Sequence, residues 1–143
     1  MILVDANLLL HAYNTRSADH DAARVWLQDT LSSPDLVRFA WTTLWAFLRI
    51  STNVRVFERP LSATEAADIV STWLAQPAAG VLDPGDRHWE ILQTLMRDGQ
   101  ATGPVVTDAA LAALAIEHGA TLHTTDRDFA RFPGLKWINP LRM

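Results

Sequence analysis

The chain has 143 residues, a formal net charge of −4, 49% apolar residues and no cysteine. That length suits one domain with a sizeable core, and the missing cysteine excludes disulfides, thiolate metal sites and a cysteine nucleophile. No apolar run approaches the ~18 residues of a membrane span, and Asp5 interrupts the apolar start MILVDANLLL, so no signal peptide or membrane segment is expected and the protein reads as cytoplasmic.

Ile2-Leu3-Val4 reads as a short buried strand ending at Asp5. Asp19 to Leu31 has a helical pattern, with Ala22, Ala23, Val25, Trp26 and Leu27 on its apolar side and Pro34 beyond its end. The aromatic run Phe39-Ala40-Trp41 precedes a second helix, Thr42 to Ile50. Ser62-Ala63-Thr64-Glu65 is a capping box, in which hydroxyl and carboxylate satisfy each other's backbone donors. The helix behind it places Ala66, Ile69, Val70, Trp73 and Leu74 on one apolar face, and Pro77 ends it. Val81-Leu82 is a short strand. Asp83-Pro84 has the form of an N-cap with proline at the first helical position, leading into Trp89, Leu92, Leu95 and Met96. A Gly- and Pro-bearing loop from Asp98 to Pro104 follows. Val105-Val106-Thr107-Asp108 then opens a helix over Ala109 to His118, which Gly119 stops. Ala120 to Thr124 is a strand, Pro133-Gly134 a turn, and Leu135 to Ile138 the last strand. This alternation predicts an α/β domain spanning 1–143, with a mainly parallel sheet covered by helices on both faces.

Ligand sites of open α/β sheets lie beyond the carboxyl ends of the strands. Asp5 ends the first strand, Asp126 and Asp128 follow the strand Ala120–Thr124, and Asp108 stands at a helix start. If those strands are neighbours, the carboxylates converge. Clustered carboxylates raise one another's pKa, and a divalent cation relieves that repulsion. Hard oxygen ligands without cysteine or paired histidine select Mg²⁺, or Mn²⁺, over Zn²⁺. Such a site hydrolyses phosphate esters. Taken singly, each acid has a simpler reading: Asp108 complements a helix dipole, Asp126 and Asp128 cap a short turn, and Asp5 sits in a turn. Asp5 resists that reading most, because its neighbours are apolar or small.

Three segments carry a family resemblance: Leu3-Val4-Asp5-Ala6-Asn7-Leu8-Leu9, Val106-Thr107-Asp108 with the alanine- and leucine-rich run to Ala115, and Thr124-Thr125-Asp126-Arg127-Asp128-Phe129, followed by Pro133-Gly134-Leu135-Lys136-Trp137. In this order the sequence resembles the PIN-domain family, and within it the ribonuclease toxins of the VapC type. The resemblance implies a three-layer α/β/α domain, Mg²⁺- or Mn²⁺-dependent RNA cleavage, a homodimer, and a cognate VapB-type antitoxin as partner. By motif position, it makes Asp5, Asp108 and Asp126 metal ligands and catalytic acids, with Asp128 as an auxiliary acid. Asn7 orients the first acid, and Thr124 supplies the hydroxyl of a Thr-x-Asp element. One departure stands out. The family's usual glutamate in the helix after the second strand falls at Ala46, and Thr42 to Ile50 contains no acid. A weakened, non-cleaving module that binds RNA or protein is therefore the alternative.

Arg49 and Arg55 are candidates for gripping phosphate or a partner, against a plain solvated loop over Phe57. Trp26, Trp73 and Trp89 fall on apolar stripes and read as core. Trp41 and Trp45, one turn apart, are candidates with Phe47 and Phe57 for an exposed apolar patch, against a default of core packing. A phosphatase of the haloacid-dehalogenase type needs an acid where Asn7 stands. A phospho-acceptor receiver needs a lysine near its acids, and the single lysine, Lys136, comes after them.

Overall fold

The strand β1 (Ile2–Val4) sends alternate side chains to opposite faces, Leu3 into one core and Val4 into the other. In the computed structural model, which describes residues 1–142, it is followed by α1 (Ala6–Tyr13), α2 (His20–Leu31), β2 (Val37–Ala40), α3 (Trp41–Ser51), α4 (Ala63–Leu74) and β3 (Ala79–Leu82). Then come α5 (His88–Asp98), α6 (Val105–His118), β4 (Thr121–His123), a 3₁₀ turn (Arg127–Arg131) and β5 (Trp137–Ile138).

The five strands form one parallel sheet in the order β3-β2-β1-β4-β5. The chain moves outward from β1 through β2 to β3, then returns to the other side of β1 for β4 and β5. That reversal opens a crevice at the carboxyl ends of β1 and β4. The register places Val4 beside His123, so the next residues, Asp5 and Thr124, emerge side by side.

Helices cover both faces, as the strand–helix alternation predicts. On one, α1 to α4 pack against Val4, Val37 and Phe39. Trp73 is the centre of that layer, stacked on Phe39 at 5.8 Å and edge-on to Phe47 at 4.7 Å. On the other, α5 and α6 pack against Leu3, Ala40 and Leu122, and Phe129 and Phe132 close the end. The small residues Ala109, Ala112, Ala113 and Ala115 bury α6 closely against the sheet. The capping box forms: Glu65 N–H donates to Ser62 Oγ at 3.1 Å, and Ser62 N–H donates to Glu65 Oε1 at 3.0 Å. Among the described residues, no helix is long and apolar enough to cross a membrane.

Several sequence expectations give way. Asp83-Pro84 does not start α5, which begins at His88. Glu117, at the end of α6, instead accepts the N–H groups of Gly85 and Arg87 at 2.8 and 2.9 Å, and His118 Nε2 lies 2.8 Å from the Asp83 carbonyl oxygen. These bonds hold the segment as a loop. α6 begins at Val105, so Asp108 belongs to its first turn. α2 buries Ala23, Leu27 and Thr30, while Ala22 and Val25 face solvent. Trp89 is exposed, and Trp26 is half-buried. Trp41 and Trp45 are exposed, whereas Phe47 and Phe57 are core residues. Of the aromatic run, Phe39 and Ala40 end β2 and Trp41 is the first residue of α3.

Candidate functional site

Asp5 caps α1 in extended backbone (φ −83°, ψ 152°), and its Oδ1 accepts the Ala6 N–H at 2.7 Å. Its Oδ2 accepts the Thr124 hydroxyl at 2.7 Å and the Asn7 amide at 3.1 Å. Asn7 Nδ2 also lies 3.1 Å from Thr124 Oγ1, and Asn7 Oδ1 accepts the Thr125 N–H at 3.2 Å. Thr124 Oγ1 in turn accepts the Asp126 N–H at 3.0 Å. Strand pairing creates this network, because the Asp5 N–H donates to the His123 carbonyl at 3.0 Å and continues the β1–β4 ladder. Thr124 is fully buried.

Asp126 Oδ1 accepts the Asp128 N–H at 2.9 Å and so caps the 3₁₀ turn. Capping and clustering are thus not alternatives for this residue. Asp128 is exposed, and its Oδ1 accepts from Arg131 at 3.1 Å. Arg131 also donates to the Gly99 carbonyl at 3.2 Å, and its buried Nε has no partner. Asp108 is half-buried on the first turn of α6. Burial, then the negative charges of Asp5, Asp126 and Asp128, push its pKa up to about 6, with Arg131 pulling the other way. Burial also pushes Asp5 up, opposed by its bonds from Thr124 and Ala6 and reinforced by the charge of Asp126. Chain segments more than 100 residues apart therefore share one negative field.

Among the described residues, no three carboxylate, histidine or cysteine side chains stand close enough to enclose one ion between them. The donor chemistry still fits a hard divalent cation. Mg²⁺ keeps several waters and needs only one or two carboxylates, and partly buried acids that raise one another are the groups such a charge would relieve.

The remaining candidates lie outside this network. Arg49 is exposed at the far end of α3 and Arg55 in the turn beyond it, and neither appears among the charges acting on Asp5 or Asp108. His11, on α1 six residues after Asp5, is also outside the network, with the Ser17 hydroxyl 2.7 Å from its Nδ1. Ala46 is half-buried and α3 carries no acid. Arg131 is the residue that reading the sequence missed. Its signal was present as an acid–arginine pair at i,i+3, but only the fold shows that the pair borders the cluster.

A model of the PIN domain matches residues 2–135. The chain belongs to the PIN domain family. This PIN domain is 44% identical over 140 residues to Ribonuclease VapC37 of Mycobacterium tuberculosis (strain ATCC 25618 / H37Rv), covering 98% of this chain and 97% of the relative. It is 41% identical over 142 residues to Ribonuclease VapC33 of Mycobacterium tuberculosis (strain CDC 1551 / Oshkosh), covering 99% of each. Its fold is that of VapBC2 from Rickettsia felis, solved bound to a promoter DNA fragment, with a TM-score of 0.71 at 17% identity, covering 96% of this chain and 98% of that one. VapBC-1 from nontypeable Haemophilus influenzae superposes with a TM-score of 0.69 at 17% identity, covering 98% of each chain.

Proposed function

We propose that this PIN domain is a metal-dependent endoribonuclease, the toxin of a toxin–antitoxin pair, acting in the cytoplasm on RNA phosphodiesters. The observation that carries the reading is the shared acidic field of Asp5, Asp108 and Asp126 at the sheet's switch point, in a chain closely related over its full length to named ribonucleases. The protein partners are an antitoxin and a second copy of the chain. Exposed Trp41 and Trp45 offer an apolar surface for one of them.

Asp5, Asp108 and Asp126 would hold Mg²⁺ or Mn²⁺, partly through water. Bound there, such a cation offsets phosphate charge and acidifies its coordinated water. Thr124 and Asn7 fix the Asp5 carboxylate in one orientation, and the Thr124 hydroxyl partly offsets the upward push of burial on its pKa. Asp126 holds the 3₁₀ turn in place through the Asp128 N–H. Arg131 ties down Asp128, which makes that acid a positioning group and not a free base.

The test is cleavage of single-stranded and structured RNAs with Mg²⁺ or Mn²⁺, comparing the parent with Asp5→Asn and Asp108→Asn. Cutting that requires the metal and disappears in both variants is expected. The missing acid on α3 supports one rival, a module that binds without cutting. RNA binding with no cleavage under either metal would establish that rival.

A further inference from the structure

A hollow of about 630 Å³ opens where β4 and β5 end, bordered by Asp19, Thr125, Arg127, Trp137, Asn139 and Arg142, with Ile138 beneath. It is joined to the acids through the residues next to them, Thr125 and Arg127 flanking Asp126 in the chain. The Thr124 N–H donates to the Ile138 carbonyl at 3.0 Å, and Thr124 is the residue that holds Asp5. A second hollow of about 450 Å³ lies on the other side, beside Gly99, Gln100, Asp128 and Arg131. Arg127 borders both, so it forms the ridge between them.

The cations around the acids differ in how they are committed. Arg131 is paired with Asp128 at 3.1 Å, and Arg142 with Asp19 at 2.9 Å. Arg127 is exposed and, among the described residues, makes no ion pair or side-chain hydrogen bond. A guanidinium left uncommitted between two carboxylates in a chain of net charge −4 is poised for an anion from outside. Trp137 is half-buried on the edge strand, packed against the core on one side and bordering the hollow. Asn139 Oδ1 accepts the Leu141 N–H at 3.0 Å, which leaves its amide N–H groups to face a ligand or water. An aromatic surface, an uncommitted guanidinium and a polar amide around a cavity of nucleotide size are what single-stranded nucleic acid requires.

We propose that this hollow is a nucleotide subsite, where Arg127 takes the phosphate next to the scissile bond and Trp137 the neighbouring base. The proposal rests on the nuclease reading and adds the path of the strand: through the hollow, over the Arg127 ridge, past the acids. It also assigns the phosphate grip to Arg127, where the sequence had pointed to Arg49 and Arg55.

The experiment uses the full chain and a fluorescein-labelled single-stranded RNA of about 12 nucleotides, long enough to fill an ordinary single-strand site. Binding is read by anisotropy in Mg²⁺, with Asp108→Asn in every protein to prevent cutting. Arg127→Glu and Trp137→Leu should each weaken binding by about tenfold or more, and Trp137→Phe should bind within about threefold of the parent. Arg127→Ala should lower the slope of log affinity against log salt by about 0.7. With Asp108 restored, Arg127→Glu should raise KM about tenfold, proportionately more than it lowers kcat. Arg127 is exposed, so its variants report even if Trp137→Leu fails to fold. If Arg127→Glu binds like its parent, the subsite is wrong whatever the parent cuts. A parent that binds no RNA also overturns it. A parent that binds RNA through Arg127 but cuts nothing upholds the subsite and overturns the nuclease reading alone.

Discussion

The Thr124 hydroxyl donates to Asp5 Oδ2 at 2.7 Å, joining residues 119 positions apart in sequence. Thr124 Oγ1 itself accepts the Asp126 N–H, so one buried hydroxyl links two of the acids. Thr124→Val keeps the shape and removes this link. It should cost about 1–3 kcal/mol in urea unfolding, because the Asp126 N–H and the Asp5 carboxylate lose a partner in a buried setting. Metal affinity, measured by Mn²⁺ titration, should fall by about 10–100-fold. Thr124→Ser should restore both, and an unchanged Mn²⁺ affinity in Thr124→Val would remove the positioning role.

Asp108→Asn should make the metal-free protein more stable while removing cleavage. In this acid the folded pKa, about 6, lies above the ordinary 3.8. Its contribution is therefore fully present below 3.8 and lost as pH rises through about 6. At pH 7 the ionised Asp108 opposes folding, by about 1–2 kcal/mol after allowance for its partial exposure. Thermal melts at pH 7 should place Asp108→Asn above the parent without metal. Saturating Mg²⁺ should stabilise the parent and leave the variant nearly unchanged.

His123 acts in the opposite direction over the same range. Burial lowers its pKa to about 4 from 6.5, and its Nδ1 is buried with no partner. Its contribution is fully present above 6.5 and lost as pH falls towards about 4, at up to ~1.4 kcal/mol per pH unit. Asp108 gains over that interval, and Asp5 pushes in the same direction, so the parent's stability should change less between pH 4 and 6.5 than His123 alone would make it. Asp108→Asn should expose a fall in stability with acid, and His123→Gln a rise. Urea midpoints across that interval decide it: parallel curves for all three proteins would reject both assignments.

The fold was readable wherever a local signal agreed with its tertiary use. The capping box of α4, the glycine stop after His118 and the alternation of Leu3 and Val4 are such cases. The start of α5 was not readable. Asp83-Pro84 is a good local cap, but Glu117, 32 residues beyond Gly85, claims the backbone donors that a helix there would have used. The same limit applies to the site. Asp5 stood out because it follows an apolar strand, and Asp126 because it follows another. Their adjacency, however, depends on β1 and β4 being neighbours, which no local pattern encodes. Arg131 has an acid three residues before it, whereas Arg127 lies between two acids in the chain. Only packing commits one to Asp128 and leaves the other open.

The Glu117 latch should be separable from the site. A Cβ at Gly85 would sit 2.6 Å from Glu117 Oε2, so Gly85→Ala must displace that carboxylate. Amide exchange at position 85 and at Arg87 should quicken in the variant, because both donors lose their acceptor. RNA cleavage should remain within about twofold of the parent, since no acid of the cluster touches this loop. A large loss of cleavage would mean that α6 transmits the displacement from its C-terminal end to Asp108 on its first turn.

Arg131 should set the acid limb of the pH–rate profile. It is the cation that holds Asp108 down, against burial and three negative neighbours. Removing it in Arg131→Met leaves those neighbours unopposed, so the Asp108 pKa rises above about 6 and the carboxylate is lost at higher pH. The acid limb of kcat/KM should then move to higher pH. Carboxyl ¹³C titration of Asp108 in the metal-free protein should move in the same direction, independently of turnover. The variant also releases Asp128 from its ion pair, so Arg131→Met with Asp128→Asn separates the two effects. If the limb shifts upward in the single variant and returns when Asp128 is neutralised, the freed Asp128 charge is the main cause. If it stays shifted, the lost guanidinium charge acts on Asp108 directly.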